Sequence, residues 1–267
     1  MNVDKGKICA WFDAYVASYY ERFGRIHQLV LKEEHSRRVG AYCSAVSENL
    51  GWSEMERNMA FAVGLLHDIG RFPQYGEYRT FFDFRSVDHG DRGCRVLREE
   101  MPEDLFLPRE TAILEACVAL HNKKDIPENL SEDILPYLQV VRDCDKIDIF
   151  SVVREHVDAE KAEDLYPGLL PEGIYSDRVV EDLVREGKAR YDTLRTLSDV
   201  MLFQLCWIFD ITYPAALELL LRNGEIQWIL GRLPEDSRIE PILERVERHL
   251  VPFRKDLERE GARKCAE

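Results

Sequence analysis

The chain has 267 residues carrying 36 basic and 50 acidic side chains, a formal net charge of −14. With 45% hydrophobic and 32% charged residues it is long enough to bury a large core and too apolar for a disordered chain. The acidic balance opposes nonspecific binding to polyanions, so neither a long nucleic acid nor an anionic membrane surface is expected as a partner.

Taken in chain order, apolar residues recur three or four apart near 8–22, 27–49, 53–69, 86–100, 109–121 and 132–150, which predicts a series of amphipathic helices. Ser53 with Glu56 fits a capping box at the start of the third, and Ser131 is expected to begin the sixth. Between the third and fourth, residues 71–84 read as a loop rich in aromatic residues, with Tyr75, Tyr78, Phe81, Phe82 and Phe84 following Phe72. Such rings either fold the loop back onto the bundle as a small satellite core or stack on a nucleobase. Residues 176–260 read as three or four further helices, including a stripe through Leu197, Met201, Leu205 and Ile208. Pro167, Gly168, Pro171 and Gly173 make 155–175 the best candidate for a joint. No alternating run or Asn-Gly hairpin signal marks a strand, so the fold class is expected to be all-α.

No apolar run approaches the ~20 residues of a membrane span. The N-terminal MNVDKGKICAWF lacks the cationic and apolar regions of a signal peptide, and a cytoplasmic location is expected. Seven scattered cysteines (9, 43, 94, 117, 144, 206 and 265), with no C-x-x-C pair, read as buried thiols in a reducing compartment.

Four of the seven histidines share inward helix faces with apolar residues. His35 aligns with Leu31, Val39, Tyr42 and Val46; His67, with Asp68, closes the third helix before Ile69-Gly70; His89 aligns with Gly93, Val96 and Leu97; His121 follows Ile113 and Cys117. Gly93 would let another backbone come close. Asp145 follows Ile134, Leu138 and Val141 on the sixth. One such histidine alone reads as a hydrogen-bonded core residue, and one such aspartate as a cap or an arginine partner. Six together, including two aspartates that are costly to bury unpaired, read as a metal site. Imidazole and carboxylate without thiolate suit iron, manganese, nickel, cobalt or zinc. Because adjacent helical residues diverge by about 100°, His67 and Asp68 can both face one centre only near a helix end. Asp68 then offers one oxygen to each of two ions, with His35, His67 and Asp145 at one and His89 and His121 at the other.

The order His35, His67-Asp68, Asp145 resembles the H…HD…D signature of the HD superfamily of metal-dependent phosphohydrolases over about residues 27–150. Leu65-Leu66-His67-Asp68-Ile69-Gly70 is a strong local form of it, and Cys144-Asp145-Lys146-Ile147-Asp148 resembles its final element, which selects Asp145 over Asp143 as the ligand. His89 and His121 resemble the two additional histidines of the dinuclear branches. The resemblance implies an HD-domain helical bundle with additional C-terminal helices: a single HD-type domain over 1–267, its metal-binding core at about 27–150 and a helical extension at about 176–260. It implies an enzyme, a hydrolase of phosphoric esters or phosphoanhydrides, working through a metal-activated hydroxide on a small phosphate ester or nucleotide, with two divalent transition metal ions as cofactor. Di-iron oxygenases of the same superfamily share the ligand order, and a metal-stabilised regulatory or binding module is a third reading. Arg71 stands where many members have lysine. Asn122 stands where cyclic-dinucleotide phosphodiesterases have a second histidine, and no Gly-Tyr-Pro element follows, which argues against that specificity.

Anion recognition is expected at 71–98, where six arginines face four acids, a net charge of +2 within an acidic chain. Arg71, one turn past the ligands, is expected to join Asp68 in catalysis and to fork phosphate oxygens. Arg79, Arg85 and Lys146 are further candidates for substrate binding, Lys146 as a group pairing a carboxylate near the site. Arg92, Arg95 and Arg98 read as solvated helix-face pairs, and Lys123 and Lys124 as surface residues. Trp207 and Trp228 fit a core or an oligomer face equally.

Overall fold

A computed structural model describes residues 3–264, and the side chains of residues 3–255; Cys265, expected as a buried thiol, lies outside the described residues. The chain is all-α, with no β-strand among the described residues beyond one isolated bridge between Leu170 and Thr196. No helix among them is long and apolar enough to cross a membrane. The chain divides into two compact units, residues up to Asp148 and from Ile149 onward, the boundary falling inside one continuous helix.

The first unit contains α1 (Lys5–Phe23), α2 (His27–Asn49), α3 (Glu54–Leu66), α4 (Arg71–Tyr78), α5 (His89–Glu100), α6 (Pro108–Leu120) and the first part of α7 (Leu135–Asp158). Ile8, Phe12, Tyr15, Val16 and Tyr19 form the buried stripe of α1. That stripe meets Phe72, whose ring lies 6.2 Å edge-on from Phe12, 6.0 Å edge-on from Tyr15 and 5.7 Å from Tyr19. Burying a ring of this size contributes about 2–3 kcal/mol, and here it fastens α4 to α1. The capping box of Ser53 and Glu56 is present at the start of α3.

Two local expectations are corrected. Residues 71–78 form helix α4, and the irregular segment begins only at Arg79, which caps α4 in the left-handed region at φ 55°. Pro73 does not prevent this, because the first turn of a helix has no intrahelical acceptor for its N–H groups. α7 starts at Leu135, after a turn at Ser131 whose carbonyl accepts from Ile134 and Leu135. Cys43, Cys94, Cys117, Cys144 and Cys206 are buried free thiols as expected, whereas Cys9 is only half-buried on α1.

Gly70 fixes how closely α5 approaches the end of α3. A Cβ there would stand 2.2 Å from the His89 carbonyl oxygen and 2.5 Å from the Gly93 nitrogen, so only a hydrogen fits between the two backbones. The expected close approach at Gly93 is thus present, with Gly70 as its partner. α2 and α3 use the same device at Gly64, whose Cβ would stand 2.9 Å from Gly40 Cα.

The second unit contains the remainder of α7, then α8 (Ala162–Leu165), α9 (Asp177–Glu186), α10 (Leu197–Leu205), α11 (Pro214–Arg222), α12 (Glu225–Arg232) and α13 (Glu240–Lys264), more helices than the three or four expected. The stripe from Leu197 is continued through Ile208 by a tighter turn at Cys206–Asp210, and its residues Met201, Leu205 and Ile208 are fully buried. Trp207 packs edge-on against Phe150 and Phe203, while the Trp228 indole donates to Asp158 at 3.1 Å. Glu225, at the start of α12, is buried; Ser151 bonds its Oε1 at 3.0 Å and its Oε2 has no hydrogen-bond partner. Burial raises its pKa against the opposing effects of Ser151 and Arg154.

Two outcomes follow from this packing. Gly70→Ala must push two backbones apart and is expected to destabilise the protein by about 1–3 kcal/mol, read as a lower urea midpoint at unchanged slope. For Glu225, the raised folded-state pKa means that protonation favours folding, a contribution complete below the unfolded glutamate range and lost as pH rises through the folded value. Glu225→Gln is therefore expected to melt higher than wild type at pH 7, with the gap closing near pH 4.

Candidate metal centre

Four imidazole Nε2 atoms and two carboxylates converge in the first unit. His35 comes from the middle of α2 and His89 from the first residue of α5. His67 and His121 each occupy the position just past a helix, the ends of α3 and α6. The correction to the expected helix end matters here: α3 stops at Leu66, and residues 67–70 form a turn, which lets both His67 and Asp68 face one centre. Asp145 lies on α7. His35, His67, Asp68, His89 and His121 are buried; Asp145, with its side chain 23% exposed, marks the open side.

The distances divide the six into two groups joined by Asp68. On one side His35 Nε2 is 3.2 Å from His67 Nε2, 3.1 Å from Asp145 Oδ1 and 3.5 Å from Asp68 Oδ2. On the other, His89 Nε2 is 3.0 Å from His121 Nε2 and 3.4 Å from Asp68 Oδ1, and His121 Nε2 is 3.7 Å from that oxygen. By mutual donor distance His35, His67 and Asp145 form one group able to hold a cation and His67, Asp68 and His121 form another; the two overlap at His67, whose single free nitrogen serves one of them at a time.

The far nitrogen of each ring is fixed. His67 Nδ1 donates to the Gly64 carbonyl at 2.7 Å, and His121 Nδ1 to the Val118 carbonyl at 2.8 Å. A carbonyl only accepts, so Nδ1 carries a hydrogen in both rings, and Nε2 is the nitrogen left to offer a lone pair. His35 Nδ1 donates to Asp148 at 2.6 Å, and His89 Nδ1 to Asp83 at 2.6 Å. Lone pairs aimed at one another across 3.0–3.2 Å in a desolvated space need a proton or a cation between them. The donor set therefore fits a divalent transition metal ion.

The electrostatics agree. Burial works to raise the Asp68 pKa, yet Lys32 at 2.8 Å and Arg71 at 3.3 Å outweigh it and keep the carboxylate ionised well below the usual range. Burial and the Arg71 charge push His89 down to about 4, over the opposition of Asp83 and Asp68. Burial likewise lowers His67. For His35, burial and Lys32 lower the pKa, but Asp145 and Asp148 prevail and bring it to about 8.

Arg71 adjoins Asp68, but its Nη1 is taken by the Gln74 Oε1 at 2.8 Å, the Phe81 carbonyl at 2.6 Å and Asp83 at 3.0 Å. Its buried Nε has no hydrogen-bond partner. Arg79 is stacked on Phe23 at 4.5 Å and on Tyr75 at 5.8 Å, and Arg85 lies over Phe82 and Phe84 at 5.3 and 5.2 Å. Among the described residues neither has a hydrogen bond or ion pair with the six converging side chains. Lys146 is half-buried on α7, one residue past Asp145. Arg92 and Arg98 pair with Glu77 and Glu115, as expected of helix faces, and Lys123 pairs with Asp88 and Asp91.

Four supporting residues were given no role by the sequence, although Asp148 closes the quoted element Cys144-Asp145-Lys146-Ile147-Asp148. Asp148 holds His35 and also accepts from Arg38 at 2.6 Å. Asp83 holds His89 and Arg71. Gln74, fully buried, donates to Asp83, Ser86 and the Val87 carbonyl and so anchors the segment that carries Asp83. Lys32 faces Asp68. For Lys32 a signal existed: it lies three residues before His35, on the same helix face.

Groups that orient ligand histidines typically change metal affinity 10–100-fold when removed. Asp148→Ala is expected to weaken the position served by His35 by about that factor, and Asp83→Ala the position served by His89. Calorimetric titration of metal-stripped protein with Mn²⁺ distinguishes the two, since each variant should alter a different binding step.

Residues 33–149 match the model of the HD domain family, a span that contains all six converging side chains. No curated protein and no solved structure matches the chain. Residues 33–149 of this chain therefore form an HD domain and belong to that all-α superfamily of metal-dependent hydrolases.

Proposed function

We propose that the protein is a phosphohydrolase that cleaves a small phosphate ester or nucleotide at two divalent transition metal ions held by His35, His67, Asp68, His89, His121 and Asp145. The observation that carries this reading is the placement of Asp68: its two oxygens face different histidine pairs, so one carboxylate can serve two ions. When bound, such ions lower the pKa of a shared water and neutralise charge on a phosphoryl oxygen.

The protein's own groups do the remainder. His67 and His121, fixed by their own helices' carbonyls, and His35 and His89, fixed by carboxylates, present lone pairs without reorganisation. Arg71 contributes positive charge beside Asp68, held in place by Gln74 and Asp83. The side chain of Asp145 is 23% exposed and that of Lys32 18%, which puts the route for an anion on that side. Arg79, Arg85 and Lys146 are proposed to act farther out on the substrate; the exposed Phe84 beside Arg85 suits a nucleobase.

The test is phosphate release from p-nitrophenyl phosphate, dinucleoside polyphosphates and nucleotides by protein loaded in turn with Fe²⁺, Mn²⁺, Ni²⁺, Co²⁺ and Zn²⁺. Turnover that proceeds without oxygen supports the reading; absence of turnover with every metal overturns it. Asp68→Ala is expected to lose both ions and all detectable turnover, and a variant retaining two ions per chain contradicts the bridging role. His89→Ala and His121→Ala are expected to deplete one ion more than the other in metal analysis.

A further inference from the structure

Lys32 belongs to none of the motifs that mark the site, yet it makes the shortest polar contact to the residue at its centre. Its Nζ lies 2.8 Å from Asp68 Oδ2, the oxygen that is also 3.5 Å from His35 Nε2 and 3.8 Å from His67 Nε2. The ammonium and any cation held by His35 and His67 therefore compete for one carboxylate oxygen.

The two cations beside Asp68 are built differently. Arg71 is fixed in place: three protein acceptors hold its Nη1, while its Nε lies 3.3 Å from Asp68 Oδ1 without a hydrogen bond. Lys32 is not. Among the described residues Asp68 is the only hydrogen-bonding partner of its Nζ, the Phe81 ring lies 5.6 Å away, and the side chain keeps 18% of its surface exposed. An ammonium carries three donors on a four-carbon stem, so this one can leave Asp68 along the Phe81 ring without breaking any other contact.

We propose that Lys32 is a displaceable counter-cation and an anion-binding residue: it holds Asp68 Oδ2 in the metal-free protein, yields that oxygen to a metal ion, and then presents its ammonium to the anionic group of the substrate. The inference rests on the reading of Asp68 as a shared metal ligand and deepens it by naming the group that meets the substrate's charge. A merely structural lysine would neutralise a buried carboxylate and do nothing else. The two roles differ in sign: a displaceable cation opposes metal binding and favours anion binding, whereas a structural one supports both through the fold.

The experiment compares wild type, Lys32→Met and Lys32→Arg as full-length, metal-stripped proteins. Mn²⁺ is titrated by calorimetry, and inorganic phosphate is then titrated into the Mn²⁺-loaded forms. Lys32→Met is expected to bind Mn²⁺ about tenfold more tightly and phosphate about tenfold more weakly, the scale on which neighbours of metal ligands act. Lys32→Arg is expected to keep phosphate affinity within about threefold of wild type, because the charge is retained. Weaker or unchanged Mn²⁺ binding in Lys32→Met, or unchanged phosphate binding, overturns the proposal. Should Lys32→Met fail to show a native circular dichroism spectrum, Lys32→Gln is judged by the same two criteria. A wild type that hydrolyses phosphate esters while Lys32→Met leaves both affinities unmoved rejects only the role of Lys32. A wild type that binds no Mn²⁺ rejects the metal reading and this inference with it.

Discussion

Lone pairs that face one another among buried side chains dictate the rest of this structure. Four imidazole nitrogens and two carboxylates, each within 4 Å of at least one of the others, are costly to bury together unless positive charge is supplied. Around Asp68 that charge comes from the side chains of Lys32 and Arg71, and beside Asp145 from the His35 ring, which Asp145 and Asp148 bring to about 8 against burial. These are stand-ins. They satisfy Asp68 and Asp145 and leave the His89 and His121 nitrogens aimed at each other.

The histidines are held by two kinds of anchor, one of each kind in either group. His67 and His121 sit one position past a helix and donate back to the carbonyl three residues earlier, a local arrangement that needs only the helix end. His35 and His89 donate to Asp148 and Asp83, which come from other segments. A carboxylate anchor raises the basicity of a ligand nitrogen more than a carbonyl does. Each group thus combines a ring set by its own helix with a ring tuned by a distant charge. The close backbone contact of Gly70 with His89 and Gly93 brings the two groups within reach of one aspartate.

Charge is arranged locally against the net −14 of the chain. The segment around Arg71 is positive in sum, yet most of its arginines are engaged by acids or by aromatic rings. Lys32, on α2 and outside that segment, has Asp68 as its one hydrogen-bonding partner among the described residues. Composition located the positive region, and pairing within it changed which cation is available.

The helices were legible because a buried stripe repeats with the helical period whatever it packs against; α2 and the capping box of α3 are examples. α4 was not, since Pro73, Gly76 and a run of aromatic residues are loop signals unless Pro73 happens to fall in a first turn and Phe72 finds the α1 stripe. By itself the sequence determined which side chains turn inward, and so the chemistry of the donor set, because inward direction is a property of one helix at a time. Only the tertiary structure decided that His89 answers to Asp83, His35 to Asp148 and Asp68 to Lys32. Those pairings join residues up to 113 positions apart, and nothing in the local period of a helix encodes which distant charge will stand opposite it.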